Sequence, residues 1–216
     1  MKLQRLDKII SSQFNISRSD TKAEIRRGKV TADGKILKDP SALLNPLESK
    51  IIYDGQVLEY KEHIYIVMNK PKGILSASED KRRETVVDLI KEPLKRNGLF
   101  PVGRLDRDTT GLLLITDDGD FAHKVISPKN NIFKTYIVEL DGAVTEDIVS
   151  QFEQGITLAD GTKCLSAKIE RITENVVKIS VCEGKYHQIK RMFGVVGLGV
   201  NELKRDSIGN LSLPKD

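Results

Sequence analysis

The sequence predicts an α+β protein of two domains, a small basic one first and a larger one around a mixed, mainly antiparallel sheet. Three observations carry this reading. Two short helical periodicities and then two Asp-Gly hairpin signals fill residues 1–60. A polar break, Lys61-Glu62-His63, separates them from a buried-strand pattern that runs into a Pro/Gly turn at Pro71 to Gly73. Beyond it, strand patterns at 64–69, 112–116, 134–140, 167–171, 176–182 and 200–205 alternate irregularly with helix patterns near 85–91, 120–126, 145–154 and 188–196. Those helices are too few and too unevenly placed for a regular βαβ winding, which favours a mixed sheet. The expected domains are therefore 1–60 and 64–216, with a short linker at 61–63.

In the first domain, Leu3, Leu6, Ile9 and Ile10 recur at near-helical spacing and predict a short amphipathic helix that ends before the polar stretch around Asn15. Ser17 is the expected N-cap of a second helix and Gly28 its stop. Between them Arg18, Lys22 and Arg26 fall at i, i+4 and i+8, which makes one face cationic, while Thr21 and Ile25 face elsewhere. Asp33-Gly34 and Asp54-Gly55 each sit between apolar runs, and both pairs accept the positive φ of a two-residue hairpin turn.

With 39% hydrophobic and 31% charged residues and 7 prolines among 216, the chain has the composition of a folded protein and no apolar run that would span a bilayer. The opening MKLQRLDKII lacks the apolar core and cleavage site of a secretory signal, so a cytoplasmic location is expected. In that reducing setting Cys164 and Cys182 are read as small core residues rather than a disulfide. His63, His123 and His187 form no metal-ligand spacing, and no metal is expected. The net charge is +4, but residues 1–29 hold eight Lys/Arg against three Asp/Glu. That asymmetry suits a polyanion and equally suits a solvated helix face.

The run from Gly103 to Asp120 carries the chemistry. Leu112 to Thr116 reads as a strand, and Asp117, Asp118 and Asp120 as turn residues, with Asp120 capping a helix that begins at Phe121. Before the strand, Arg104, Asp106, Arg107 and Asp108 set carboxylates among guanidinium groups on a loop held at both ends by apolar segments. Cationic neighbours favour an ionised aspartate, which a nucleophile needs, and arginines attract phosphate. A surface loop of Arg/Asp pairs satisfies the same residues, and physical reasoning alone leaves both open.

Arg5-Leu6-Asp7-Lys8, then Ser17-Arg18-Ser19, then a basic helix ending in glycine resembles the S4 RNA-binding domain over residues 1 to about 60. The run GRLD-x-x-T-x-GLLLxTxDG resembles the signature of pseudouridine synthases of the RsuA type. Asn69 to Gly73, Lys134 to Tyr136 and Glu183 to Phe193 are similar to three further motifs of that family, in the family's order. The resemblance implies an S4-like first domain and a pseudouridine synthase catalytic domain, with Asp106 as nucleophile and no cofactor. It further implies Tyr136 as stacking platform and proton base beneath a flipped uracil. Lys190 is the implied partner holding Asp106 ionised, with Arg191 the fallback. Arg18, Lys22, Arg26 and Arg27 are the expected RNA contacts of the first domain, and Lys70, Lys72, Arg104, Arg107 and Arg191 those of the second. Lys70 and Lys72 are equally satisfied by a solvated turn.

His187 with Lys190 in the late motif resembles the branch that modifies 16S small-subunit ribosomal RNA, where large-subunit relatives more often carry Asn-Arg-Gln. The implied partner is ribosomal RNA within an assembling small subunit, met by a monomer without a membrane. The alternatives are a large-subunit enzyme, an inactive RNA-binding protein, and a hydrolase pairing Asp106 with Asp108. Family members usually continue beyond an Ile208 to Pro214 stretch into one more short strand, so a less covered sheet edge is expected here.

Overall fold

The structure, a computed structural model, describes residues 3–214, and Met1, Lys2, Lys215 and Asp216 lie outside the described residues. The chain divides into two compact units. The first takes the described residues up to Ile64 together with Leu89–Leu99, and the second Tyr65–Asp88 with the chain from Phe100 onward. The return of 89–99 to the first unit was not visible in the sequence pattern. Its cause is polar and non-local: the buried Arg96 donates to the carbonyls of Lys61 and Glu62, and the Asn97 amide donates to those of Ser11 and Ile16.

The first unit consists of β1 (Gln4–Arg5), α1 (Leu6–Gln13), α2 (Arg18–Arg26), β2 (Val30–Ala32), β3 (Lys35–Leu37), β4 (Leu43–Leu44), β5 (Ile51–Tyr53) and β6 (Gln56–Val57). The strands β3-β2-β5-β6 form an antiparallel sheet, and β1 pairs with β4. Helix α1 starts at Leu6, so Leu3 lies ahead of it and is exposed, while Leu6, Ile9 and Ile10 are buried with Ile25, Val30, Ala32 and Ile51. Each such side chain contributes about 1.5–3 kcal/mol by leaving water. The Ser17 hydroxyl accepts the Asp20 N–H, and α2 ends into Gly28 at φ +80°. Both hairpins turn on paired positive φ angles, Asp33 and Gly34 at 50° and 79°, Asp54 and Gly55 at 48° and 82°.

The second unit adds β7 (Tyr65–Lys70), β8 (Phe100–Pro101), β9 (Thr110–Thr116), α3 (Gly119–Ile126), β10 (Lys134–Leu140), α4 (Glu146–Gln154), β11 (Lys168–Arg171), β12 (Val176–Val181), α5 (Gln188–Val195), β13 (Val200–Ile208) and β14 (Leu211–Ser212). Its sheet runs β11-β12-β10-β13-β9-β7, with β14 on β13 and β8 on β9. All pairings described are antiparallel except β13 with β9, so the sheet is mixed and mainly antiparallel. The main core packs Phe152 of α4 and Met192 and Phe193 of α5 against Val138, Leu140, Val177 and Ile179. Cys164 and Cys182 are buried free thiols. Among the described residues no helix is long and apolar enough to cross a membrane.

Two expected local structures are corrected. Residues 85–91 form turns rather than a helix. The Asp88 carboxylate accepts from both the Thr85 N–H and its hydroxyl, a local turn that competes with helical bonding, and Thr85 bridges to Leu75. The cap of α3 is Asp118, whose carboxylate accepts the Phe121 N–H, so the helix starts at Gly119 with Asp120 already inside it.

The single parallel junction depends on Gly111. Its φ is +101°, and a Cβ there would lie 2.2 Å from the Arg205 carbonyl oxygen and 2.7 Å from the Arg205 nitrogen. Backbone cannot yield as a flexible side chain would. Gly111→Ala should therefore destabilise the protein by about 3 kcal/mol in urea unfolding, the upper part of the usual range for overpacking; a loss below about 0.5 kcal/mol would show that the junction tolerates a side chain.

Candidate active site

The loop between β8 and β9 presents Asp106, and its shape is set by a lysine underneath. Lys70, the last residue of β7, is fully buried, and its ammonium donates to the carbonyls of Pro71, Arg107 and Thr109 at 3.0, 3.2 and 3.0 Å. Burial pushes its pKa below the ordinary lysine value. The expected phosphate contact for Lys70 is thus corrected: the side chain has no path to solvent and serves as an internal clamp. The Gly73 N–H donates to the Arg107 carbonyl at 2.7 Å, Arg107 Nε donates back to the Gly73 carbonyl, and the buried Ser76 hydroxyl exchanges bonds with Leu105. The turn closes through the Thr109 N–H on the Asp106 carbonyl at 3.1 Å.

Held this way, Asp106 lines an open pocket of about 450 Å³ with Arg104, Thr109, Tyr136, His187 and Lys190. Tyr136 comes from the central strand β10, half-buried, and packs on the main core as well as lining the pocket. Lys190 comes from α5, one turn in from its start. Its ammonium lies 3.8 Å from Asp106 Oδ2 but makes its hydrogen bonds to Asp108, at 2.7 and 2.6 Å. The expected direct pairing of Lys190 with Asp106 is thus a shared arrangement, in which Lys190 holds the Asp108 carboxyl below its usual pKa. The fallback Arg191 points elsewhere: its guanidinium meets Asp160 at 2.5 Å, and hydrogen bonds from Thr162 and Arg191 lower the Asp160 carboxyl to about 2.

His187 has no role in the sequence reading beyond marking a branch, yet its Nε2 lies 3.4 Å from Asp106 Oδ1, so each oxygen of Asp106 has one nitrogen neighbour. Glu183 is a second residue that pattern reading passed over. Nearly buried, it accepts from the Leu165 N–H and the Gln188 amide and pairs with Lys185, fixing the loop ahead of α5. Among the described residues no group of three or more His, Cys, Asp or Glu is placed to hold a metal.

The remaining expected contacts divide by exposure. Arg104 and Arg107 are exposed, and Lys72 forms an exposed pair with Glu202 at 2.6 Å, of small energetic weight. In the first unit Arg26 is exposed, and Arg27 pairs with Glu24 at 2.6 Å. Arg18 and Lys22 converge at 3.5 and 4.0 Å on the fully buried Asp7, which Arg5 grips with two hydrogen bonds. Those Arg5 bonds hold the Asp7 carboxyl below its usual value.

The Lys70 clamp separates two outcomes. Lys70→Met takes the ammonium donor from the carbonyls of Pro71, Arg107 and Thr109, of which Arg107 keeps the Gly73 N–H, and should cost about 3 kcal/mol of stability. It should leave the salt dependence of RNA binding unchanged, whereas loss of a phosphate contact would reduce the slope of log K against log salt by roughly 0.7 to 0.9.

Comparison with known proteins agrees with this geometry. Residues 64–194 match the model of the RNA pseudouridylate synthase family, and residues 4–46 match the S4 domain. The chain is 42% identical over 213 residues to the RNA pseudouridine synthase YtzG of Bacillus subtilis, covering 97% of this chain and 89% of that protein. It is 41% identical over 216 residues to the ribosomal small subunit pseudouridine synthase A of Escherichia coli, covering 98% and 92%. A solved structure, a crystal structure of a pseudouridylate synthase, superposes with a TM-score of 0.67 at 36% identity over 97% of this chain and 90% of that one. With a carboxylate, a tyrosine and a lysine gathered in one pocket, and an S4 domain match earlier in the sequence, the chain belongs to the RNA pseudouridylate synthase family.

Proposed function

We propose that this protein converts a uridine of 16S small-subunit ribosomal RNA to pseudouridine, with Asp106 as nucleophile. The observation that carries the proposal is the position of the Asp106 carboxylate, at the wall of an open pocket that it shares with Tyr136, with nitrogen neighbours on both oxygens. The naming of the Escherichia coli relative supports the small subunit as the source of the RNA. The protein acts as a cytoplasmic monomer on RNA within an assembling subunit.

The chemistry follows from the groups present. The target nucleotide leaves its stack, at a cost of a few kcal/mol that stacking and phosphate contacts offset. Asp106 attacks the nucleotide and the C–N glycosidic bond breaks, splitting one hard step into two easier ones. The freed uracil turns over on Tyr136, and its C5 joins the ribose C1′ as the bond from Asp106 to that carbon breaks and returns the carboxylate. The C5 proton leaves, with Tyr136 as the base, and N1 gains a proton, so the atoms of substrate and product balance and no cofactor is consumed. Lys190 places a positive charge 3.8 Å from the Asp106 carboxylate. Arg104, Arg107 and Lys72 are the phosphate contacts around the pocket, and Arg18, Lys22, Arg26 and Arg27 those of the S4 domain; Arg191 serves in the same way from α5.

Small-subunit RNA carrying tritium at uridine C5 tests this. Wild type should release tritium and form pseudouridine at a discrete position, while Asp106→Asn should lower the rate by at least about 10³-fold, in line with losses on removing other nucleophiles. Equal rates in the two proteins would remove the nucleophile assignment, and release from large-subunit RNA alone would move the substrate. Charge reversal in Lys22→Glu/Arg26→Glu should weaken RNA binding by tenfold or more at low salt, with the gap narrowing as salt rises; unchanged low-salt affinity would take this face out of the interface.

A further inference from the structure

We propose that Tyr186 is a stacking platform for the nucleobase next to the target uridine, an inference that rests on the proposed function above. The side chain is 76% exposed, the most exposed aromatic described in the chain. The exposed ring of Tyr65, by contrast, bonds through its hydroxyl to Asp118 and packs edge-on against Phe121. Tyr186 instead lies flat on the His187 imidazole, with ring centroids 3.9 Å apart and an interplanar angle of 19°. One face of the phenol ring is thus covered and the other faces solvent.

The loop that carries this ring is pinned rather than loose. Glu183 anchors its start through Leu165, Lys185 and Gln188, the Lys185 N–H donates to the Gln188 side chain at 2.9 Å, and Arg191 Nη1 donates to the Tyr186 carbonyl at 3.3 Å. His187 adopts φ +48°, a left-handed conformation uncommon outside glycine, and this turns its imidazole toward Asp106 at 3.4 Å. The Tyr186 ring therefore sits one stacked layer beyond a group that touches the reacting carboxylate. A nucleotide whose ribose is at Asp106 brings its chain neighbour within reach of that layer. Every base has a π face, so the ring takes an unpaired base of either class, and a pre-fixed ring loses little freedom on stacking. Neither fold nor core uses the open face, since Tyr186 lies outside the main core.

Stem-loop RNAs with one loop uridine, tritiated at C5 and flanked on its 5′ or 3′ side by 2-aminopurine, test the platform by fluorescence. Wild type should quench the 2-aminopurine on one side. Tyr186→Ala at saturating concentration should leave it bright and should weaken the Kd by about 5- to 150-fold, the range found for loss of one base–aromatic stack. Tyr186→Phe and Tyr186→Trp should restore both quenching and affinity. Because the residue is exposed, Tyr186→Ala should melt at the wild-type temperature. Tritium release that is unaffected by Tyr186→Ala, with no Tyr186-dependent quenching on either side, overturns the platform and leaves the enzymatic reading standing. Tyr186-dependent quenching without tritium release supports the platform and counts against that reading.

Discussion

Five strands meet in one transverse row of the large sheet, and the site depends on that row. Across it Lys70 of β7 pairs with Gly111 of β9, Gly111 with Arg205 of β13, Arg205 with Tyr136 of β10, and Tyr136 with Ile179 of β12. Directly opposed residues in a sheet share a face, so the row fixes which side chains point toward the pocket. It also contains the one parallel strand pairing described in this sheet, where the glycine lets two backbones approach closer than any Cβ would permit. The loop carrying Asp106 enters β9 immediately before this point. Its height above Tyr136 is therefore a property of backbone packing two residues away, rather than of its own side chains.

The same row explains why a buried cation is tolerated. An ammonium removed from water is costly, and the chain offsets this for Lys70 with three carbonyl acceptors instead of a carboxylate. A carboxylate partner would have brought a second anion beside Asp106. Carbonyls satisfy the donors of the cation without adding an anion beside it. Lys190 acts from the opposite side, divided between Asp108 and Asp106. Its hydrogen bonds go to Asp108, which leaves it 3.8 Å from Asp106 without a hydrogen bond to that carboxylate. In the proposed reaction a short hydrogen bond to Asp106 would favour its resting state most, which does not help the chemical step.

What was legible in the sequence was local. Paired Asp-Gly turns, the Ser17 cap, the Gly28 stop and the strand patterns at 134–140 and 176–182 each depend on residues within a few positions of one another, and each formed as expected. What was not legible was decided by partners far along the chain. The apolar spacing of Val86 and Ile90 suits a helix, and both residues are buried, but Asp88 bonded to Thr85 closes a turn first. Residues 89–99 join the first unit through Arg96 and Asn97, whose carbonyl acceptors lie 34 to 86 positions away. Lys70 looked like a surface lysine because its neighbours Asn69, Pro71 and Lys72 are polar or turn-forming. Its burial comes from the loop 37 residues later that folds over it. Motif order located the candidate site, while the division of Lys190 between two carboxylates required coordinates.

The S4 unit repeats the pattern of a buried charge organising exposed ones of opposite sign. Asp7 is fully buried, and Arg5, Arg18 and Lys22 converge on it from three positions, so Arg18 and Lys22, two of the three residues of the cationic face read from the sequence, are arranged around an internal anion. One carboxylate cannot neutralise three cations. The net charge of the cluster stays positive, while the side chains lose the freedom to spread into solvent. A polyanion binding there meets cations whose ordering cost has already been met in folding, which is the physical meaning of preorganisation. This gives Asp7 a task that the net charge conceals: the aspartate subtracts from the positive total and yet fixes where the remaining charge stands.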